Sequence, residues 1–354
     1  MGLQLIKPDT HIDFVGFRKI AFVISTLLIL LGIGSLLMHG GPRYGIDFAG
    51  GITVQVKFDE GIEIGNLKDA LATTDMKDMT VQSFGMEQDN EYLIRISAMD
   101  VTSDQVRTAV ESALTNHMDA GYTVQRQEMV GPKVGADLRE KALEAMFYAV
   151  LLIAIYISGR FEARWMTAGI MAAALSGGIY LLGLVNLPMS MLILAAMLIT
   201  VGLCWYLKLN YALGAVVALI HDVIITVGVF SMMDKEFDLT IVAALLTIIG
   251  YSLNDTIIVF DRIRENLRNK VGENLGETIN ASVNQTLSRT LLTSGTTLLV
   301  VFCLFVLGGG VIHDFAFALL IGVGIGTYSS VFVASPILMG FGPSLEHDSE
   351  EAAA

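Results

Sequence analysis

The chain has 354 residues, 53% hydrophobic and only 16% charged, where a soluble domain carries roughly a quarter charged residues. The excess apolar residues fall in long blocks, which excludes a soluble globular enzyme and points to a polytopic membrane protein. A formal net charge of −13 argues against nucleic acid as a partner.

In chain order, residues 1–19 form a leading segment that ends in Arg18 and Lys19. A membrane crossing needs about twenty apolar residues at about 1.5 Å each. By that measure spans are predicted at 20–38, 142–158, 166–185, 189–207, 211–233, 239–260, 287–308 and 314–340, eight in all. Within the stretch 165–208, Pro188 and the short "NLP" also suit a re-entrant hairpin. "HGGPRYG" after the first span offers no small-x-small cleavage site, so that span reads as an uncleaved anchor.

One segment between spans, 39–141, is long enough for a core of its own. Residues 40–139 carry sixteen acidic and nine basic side chains, so −7 of the net −13 lies there. "GITVQVKF", "TVQSFGM", "YLIRIS" and "YTVQRQEMV" alternate as strands do. "IGNLKDALATT" and "TSDQVRTAVESALTNHM" read as helices between them. The order β-α-β-β-α-β is that of a ferredoxin-like α+β domain. Alternation assigns Val54, Val56, Leu93 and Ile96 to the inner face of its sheet. Cys204 and Cys303 both fall in predicted spans, so no disulfide framework is expected.

Basic residues set the orientation. Lys7, Arg18 and Lys19 place the N-terminus in the cytoplasm. An even number of later crossings returns Arg160, Arg164, Lys208, Arg262, Arg264, Arg268 and Lys270 to that side. A loop at about 261–285 and a tail at 341–354 are then cytoplasmic, and the domain at 39–141 is periplasmic.

The bundle, 142–340, carries charges that lipid penalises unless they are paired or neutralised. Counted from Leu239, Asp255 lies roughly 24 Å into its span; counted from Leu307, Arg289 lies roughly 27 Å into the antiparallel neighbour. Thr247, Tyr251 and Asp255 form one polar stripe, and Gln285, Arg289, Thr293 and Thr296 another, and the two could face each other. A fixed ion pair that orients two helices explains this, with Arg289 snorkelling outward. So does a proton relay: a carboxylate beside arginine stays ionised, and one left alone in an apolar site takes up a proton. His221–Asp222, near mid-membrane, suits either a relay or hydrogen-bonded packing. "GVGIG" at 322–326 follows no soluble strand and reads as close helix packing. "NAS" and "NQT" at 280–286 are chance sequons, and no nucleotide, metal or nucleophile motif is found.

Several longer motifs carry a resemblance. "GIDFAGG" (45–51), "VGPKVGADL" (130–138), "RFEAR" (160–164), "ALIHDVIITVGVF" (218–230), "DLTIVAALLTIIGYSLNDTIIVFDRIREN" (238–266), "TLSRTLLTSGTT" (286–297) and "LLIGVGIGTYSSVFVASP" (319–336) are similar, in order and spacing, to the SecD/SecF family of the bacterial preprotein translocase. The family belongs to the resistance-nodulation-division (RND) superfamily. The resemblance implies an inner-membrane, non-enzymatic subunit that uses the proton motive force, with protons as coupling ion and no other cofactor, to promote preprotein export. It implies a SecD-like partner and the SecYEG channel, with YajC, YidC, exported preproteins and membrane lipids as further contacts. It assigns proton transport to Asp255 and Arg289; His221, Asp222 and Asn254 complete the candidate relay. Gly45, Asp47, Phe48, Gly50 and Gly51 would form a flexible or tightly packed junction between span and domain.

The family usually has six spans, and here about 45 residues intervene after "RFEAR". A shift of 45 aligns Gly169 with Gly214, Ala173 with Ala218 and Gly183 with Gly228, the pattern of a duplicated segment. Two rivals stand beside this reading. One is a proton-driven RND exporter of small molecules or lipids, which would normally carry two external domains and twelve spans. The other is a passive scaffold, for which Asp255 would be dispensable.

Overall fold

The structure, a computed structural model, describes residues 11–341 apart from 75, 77–78, 86–88, 97–101, 119 and most of 163–188. Among the described residues six helices are long and apolar enough to cross a membrane, where the sequence suggested eight. They are α1 (Arg18–Met38), α5 (Pro132–Glu162), α7 (Asn210–Met232), α8 (Leu239–Arg268), α9 (Leu275–Leu307) and a last one over Ile312–Gly340 that begins with α10 (Gly309–Ser329). The expected span 166–185 lies mostly outside the described residues. The expected span 189–207 is α6 (Met189–Tyr206), whose apolar described stretch is only Leu194–Tyr206.

The helices also outrun the predicted spans. α5 starts at Pro132, directly after the domain's last strand, and α8 continues to Arg268 before α9 begins at Leu275. Residues 261–285 are therefore mostly helix around a short turn. Asn274 caps α9 by accepting from the Glu277 N–H at 3.0 Å, and Asp238 caps α8 by accepting from Ile241 N–H at 2.9 Å.

A four-stranded antiparallel sheet follows α1 and a short helix, α2 (Ile46–Ala49). Its strands are β1 (Gly51–Phe58), β2 (Met79–Phe84), β3 (Glu91–Ile96) and β4 (Tyr122–Val130), in the order β2-β3-β1-β4. α3 (Ile64–Ala72) and α4 (Ser103–His117) cover one face. Ile52, Val54, Val56 and Phe58 bury that face with Tyr92, Ile94 and Ile96. Leu93 does not join them: it pairs with Gln55 on the opposite face, because side chains one residue apart point to opposite sides. Ile96 was on the correct face and its partner there is Ile94.

That opposite face meets the loop between α7 and α8. Arg95 pairs with Glu236 and donates to the Tyr44 carbonyl at 3.3 Å. Tyr44 and Phe237 form a parallel bridge, with Gly45 N–H on the Phe237 carbonyl and Phe237 N–H on Arg43, both at 2.7 Å. The Asp47 carboxylate accepts from Leu239 N–H at the start of α8. The junction motif is thus packed against the start of α8 and of α5. Gly50 has φ +75°, and a Cβ there would lie 2.9 Å from the backbone of Pro132.

Helix packing is close elsewhere too. A Cβ on Gly228 of α7 would sit 2.6 Å from Gly32 of α1, and one on Gly326 of α10 would sit 2.9 Å from Ser252 of α8. At the end away from the sheet, Asn280 and Asn284 on α9 bind residues 12–15 as peptide groups would. Asn284 accepts from Ile12 N–H and donates to its carbonyl, while Asn280 accepts from Val15 N–H and donates to Asp13. This pins Phe14 and Val15 into the bundle core and gives the two chance sequons a structural role.

Candidate functional site

Two buried carboxylates lie within the bundle, each 1% exposed. Asp222 on α7 has every oxygen occupied. Its Oδ1 lies 2.8 Å from His221 Nδ1, and its Oδ2 accepts from Ser252 of α8 at 2.6 Å and Ser329 of α10 at 2.8 Å. The network continues outward. His221 Nε2 lies 3.0 Å from Ser25 Oγ of α1, which lies 3.0 Å from Tyr328 Oη, and Tyr328 donates to the Ala21 carbonyl at 2.7 Å. Counting hydrogens constrains this chain. Tyr328 spends its hydrogen on Ala21, so the Ser25–Tyr328 contact needs the Ser25 hydrogen, and His221 must then donate to Ser25. The order of donors thus runs from His221 Nε2 through Ser25 to Tyr328 and the Ala21 carbonyl.

Asp255 on α8 is different. Ser294 of α9 donates to its Oδ2 at 3.0 Å, and Thr327 of α10 donates to Ser294 at 2.8 Å. Its Oδ1 is buried without a hydrogen-bond partner. One turn earlier on each helix, Tyr251 of α8 and Thr290 of α9 also hold buried hydroxyl oxygens without partners. A lone carboxylate oxygen in such a place has room for a proton and nothing to replace it.

The structure does not bring Arg289 to Asp255 as a bonded pair. Arg289 is exposed on the bundle surface, as are Asn254 and Thr247, and the Arg289 side chain makes no ion pair or hydrogen bond among the described residues. The reason is rotational. Ser294 faces Asp255, and Arg289 is five residues away, about 140° around an α-helix. Gln285 of the second stripe reaches α8, accepting from Asn266 at 3.0 Å, and Arg289 is near enough to Asp255 for its charge to act there. Neither makes a direct contact with Asp255. Serine and threonine do that work: Ser25, Ser252, Ser294, Thr327 and Ser329, with Tyr328, were all missed. Their spacing is the available signal, since Ser252 stands three residues before Asp255 and Ser329 three after Gly326.

At the α8 N-terminus, outside the membrane-spanning segments, burial pushes the Asp238 carboxyl up to about 6, and nearby Asp47 and Asp314 act in the same direction. Arg43 and Arg95 hold Glu236 beside it.

Comparison with known proteins agrees along nearly the whole chain. A family model described as "Protein export membrane protein SecD/SecF, C-terminal" matches residues 109–203 and 183–343. A second, "SecD/SecF GG Motif", matches residues 35–62. The chain is 43% identical over 346 residues to "Protein translocase subunit SecF" of Magnetococcus marinus, covering 96% of this chain and 95% of that one. It is 39% identical over 345 residues to the Vibrio alginolyticus protein of the same description, covering 97% and 94%. A solved structure of SecDF from Thermus thermophilus superposes with a TM-score of 0.71 at 28% identity, covering 95% of this chain and 39% of that one. SecDF in its super-membrane-facing form gives 0.58 at 28%, covering 99% and 41%. The chain spans about two fifths of these solved SecDF chains.

Proposed function

The chain belongs to the SecF family of protein translocase subunits, and from that premise we propose that Asp255 is its proton carrier. As a SecF-type subunit it is a multi-pass inner-membrane component of the Sec export machinery. It is not an enzyme, and it draws on the proton motive force instead of a bound cofactor. A SecD subunit is its partner. The observation that carries the proposal is the half-satisfied carboxylate of Asp255, with one neutral donor on Oδ2 and an unpartnered Oδ1. Each proton moved down 100 mV supplies about 2.3 kcal/mol.

In this reading Arg289 acts on Asp255 by charge without a bond, and Asn254 stands next to Asp255 in the chain. Arg289 and Asn254 are exposed in the membrane, and an exposed arginine there needs a counter-charge or a route to the interface. SecD supplies it, so the relay is completed between subunits. His221 and Asp222 brace the bundle around it. The N- and C-termini are cytoplasmic, by the basic residues at that end, and residues 39–141 form the periplasmic domain. It works beside SecYEG, with YajC and YidC as further contacts, on emerging preproteins. The domain is seated on α8 through Asp47, Arg95 and Glu236, so a displacement of α8 reaches it.

The test is preprotein export in vesicles that contain the subunit with SecD, under an imposed proton gradient. Asp255→Asn keeps the shape and the Ser294 hydrogen bond but cannot carry a proton. It should assemble in normal amount and lose the gradient-dependent part of export. Normal export by this variant removes Asp255 from the role.

A further inference from the structure

A second charged cleft lies at the other end of α8, outside the relay. Arg160 at the end of α5 and Asp261, Arg264, Glu265, Arg268 and Asn269 at the end of α8 line a space of about 300 Å³. Its charges are not balanced internally. Asp261 is taken by Arg160 at 2.7 Å, and Glu265 by Arg262, which stands outside the cleft, at 2.9 Å. Arg264 donates to the Arg160 carbonyl at 3.2 Å, which fixes its guanidinium while leaving other N–H groups free. Among the described residues neither Arg264 nor Arg268 has a carboxylate partner. They stand four residues apart, on one face of the helix.

Depth identifies what could fill the cleft. Arg264 lies twenty-five residues beyond Leu239, about 38 Å along α8 at 1.5 Å per residue. The hydrocarbon layer is about 30 Å thick and the whole bilayer about 40–45 Å. The two arginines are therefore at the level of lipid headgroups, in the leaflet opposite the external domain. Guanidinium groups bind phosphate oxygens in a bidentate fork, and basic clefts between helices at that level suit anionic headgroups.

We propose that the cleft between Arg160, Arg264, Arg268 and Asn269 binds the phosphate of an anionic phospholipid in that leaflet. It is a site separate from the proton relay and rests on the membrane placement of the helices alone. Asp261 competes with the lipid for Arg160, so the pair limits affinity.

The measurement is lipid retained by the full chain in complex with SecD. The complex is purified in detergent, exposed to mixed micelles of phosphatidylglycerol or phosphatidylcholine, and weighed by native mass spectrometry. Phosphatidylglycerol should be retained in preference, and Arg264→Gln with Arg268→Gln should weaken retention by about tenfold or more. Lys208→Gln, outside the cleft and in no ion pair among the described residues, should leave it unchanged. Asp261→Asn should increase retention, because Arg160 is released; a purely structural ion pair predicts lower thermal stability and no gain. Equal retention by the double variant overturns the site, as does loss of SecD in place of lipid. Displacement of the lipid by inorganic phosphate would make a soluble anion the ligand and overturn the headgroup assignment. If the double variant fails to fold, Asp261→Asn decides the matter by itself.

Discussion

Asp222 and Asp255 lie in neighbouring helices, equally buried, yet their surroundings are opposite. Asp222 is held by a histidine and two serines from three helices. Asp255 has one serine and a free oxygen. A carboxylate whose lone pairs are all occupied has its charge fixed in place, and protonating it breaks bonds that the fold depends on. A carboxylate with an empty oxygen can gain a proton without disturbing its neighbours. Burial alone does not make a proton carrier; incomplete satisfaction does.

The largest effect that could break this contrast is a charge exchange, Asp255→Arg with Arg289→Asp. A facing ion pair would tolerate it. Here the two side chains make no direct contact, so gradient-dependent export should stay at the level of the Asp255→Arg single variant. Recovery of export in the vesicle assay would mean that the two groups do meet in the working cycle.

Asp222→Asn should act on assembly more than on energy coupling. It turns one of the two acceptor oxygens shared by His221, Ser252 and Ser329 into an amide donor, and each buried polar group left unpaired costs roughly 1–3 kcal/mol. The amount of folded subunit with SecD, and its melting temperature in detergent, should fall sharply. Normal assembly with lost export would transfer the carrier role to Asp222.

A third carboxylate sharpens the comparison because bulk solvent can titrate it. Asp238 is raised from 3.8 to about 6, so the folded state binds its proton more tightly than the unfolded chain. The stabilisation is fully present below pH 3.8 and is lost as pH rises through about 6. The gap is worth at most about 3 kcal/mol. Amide hydrogen exchange at residues 239–242 should slow on acidification across that window, and Asp238→Asn, still a competent cap, should flatten the response.

Tyr328→Phe should have the smallest effect. It removes the hydroxyl that orders Ser25 and His221, at a cost of about 1 kcal/mol. Melting temperature should drop slightly while export under a gradient is preserved. Complete loss of export would make the His221 network a proton route.

What was legible in the sequence follows from what hydropathy and periodicity can register. Asp255 and Asp222 stand out because a carboxylate in an apolar run is costly anywhere. The strand Gly51–Phe58 stands out because its alternation is complete. Arg289 was noticed for its charge, but which groups touch directly depends on helix rotation, and it is Ser294, five residues on, that bonds to Asp255. Ser294 and Ser329 are nearly neutral to hydropathy and become important only through the helices they face. Leu93 was misassigned because it stands three residues from Ile96 and so cannot share its face; the alternation of β3 puts Tyr92, Ile94 and Ile96 on one side and Glu91, Leu93 and Arg95 on the other. The segment 189–207 was read as a span from its apolar composition, and it forms a helix whose described apolar part is Leu194–Tyr206.

The contacts between α1 and α7 share one number. Ser25 meets His221, Gly32 meets Gly228 and Ser35 meets Ser231, each pair 196 residues apart in the chain. The two helices are thus parallel struts in strict register, keyed at three levels over ten residues of each. Slippage by even one residue, about 1.5 Å, would lose all three keys together. Above them, Tyr44 from the α1 side is bridged to Phe237 from the α7 side, which closes the struts into a frame directly beneath the sheet. A rigid frame cannot flex to absorb a displacement. Whatever shifts α7 along its axis must carry α1 with it, and the external domain stands on both.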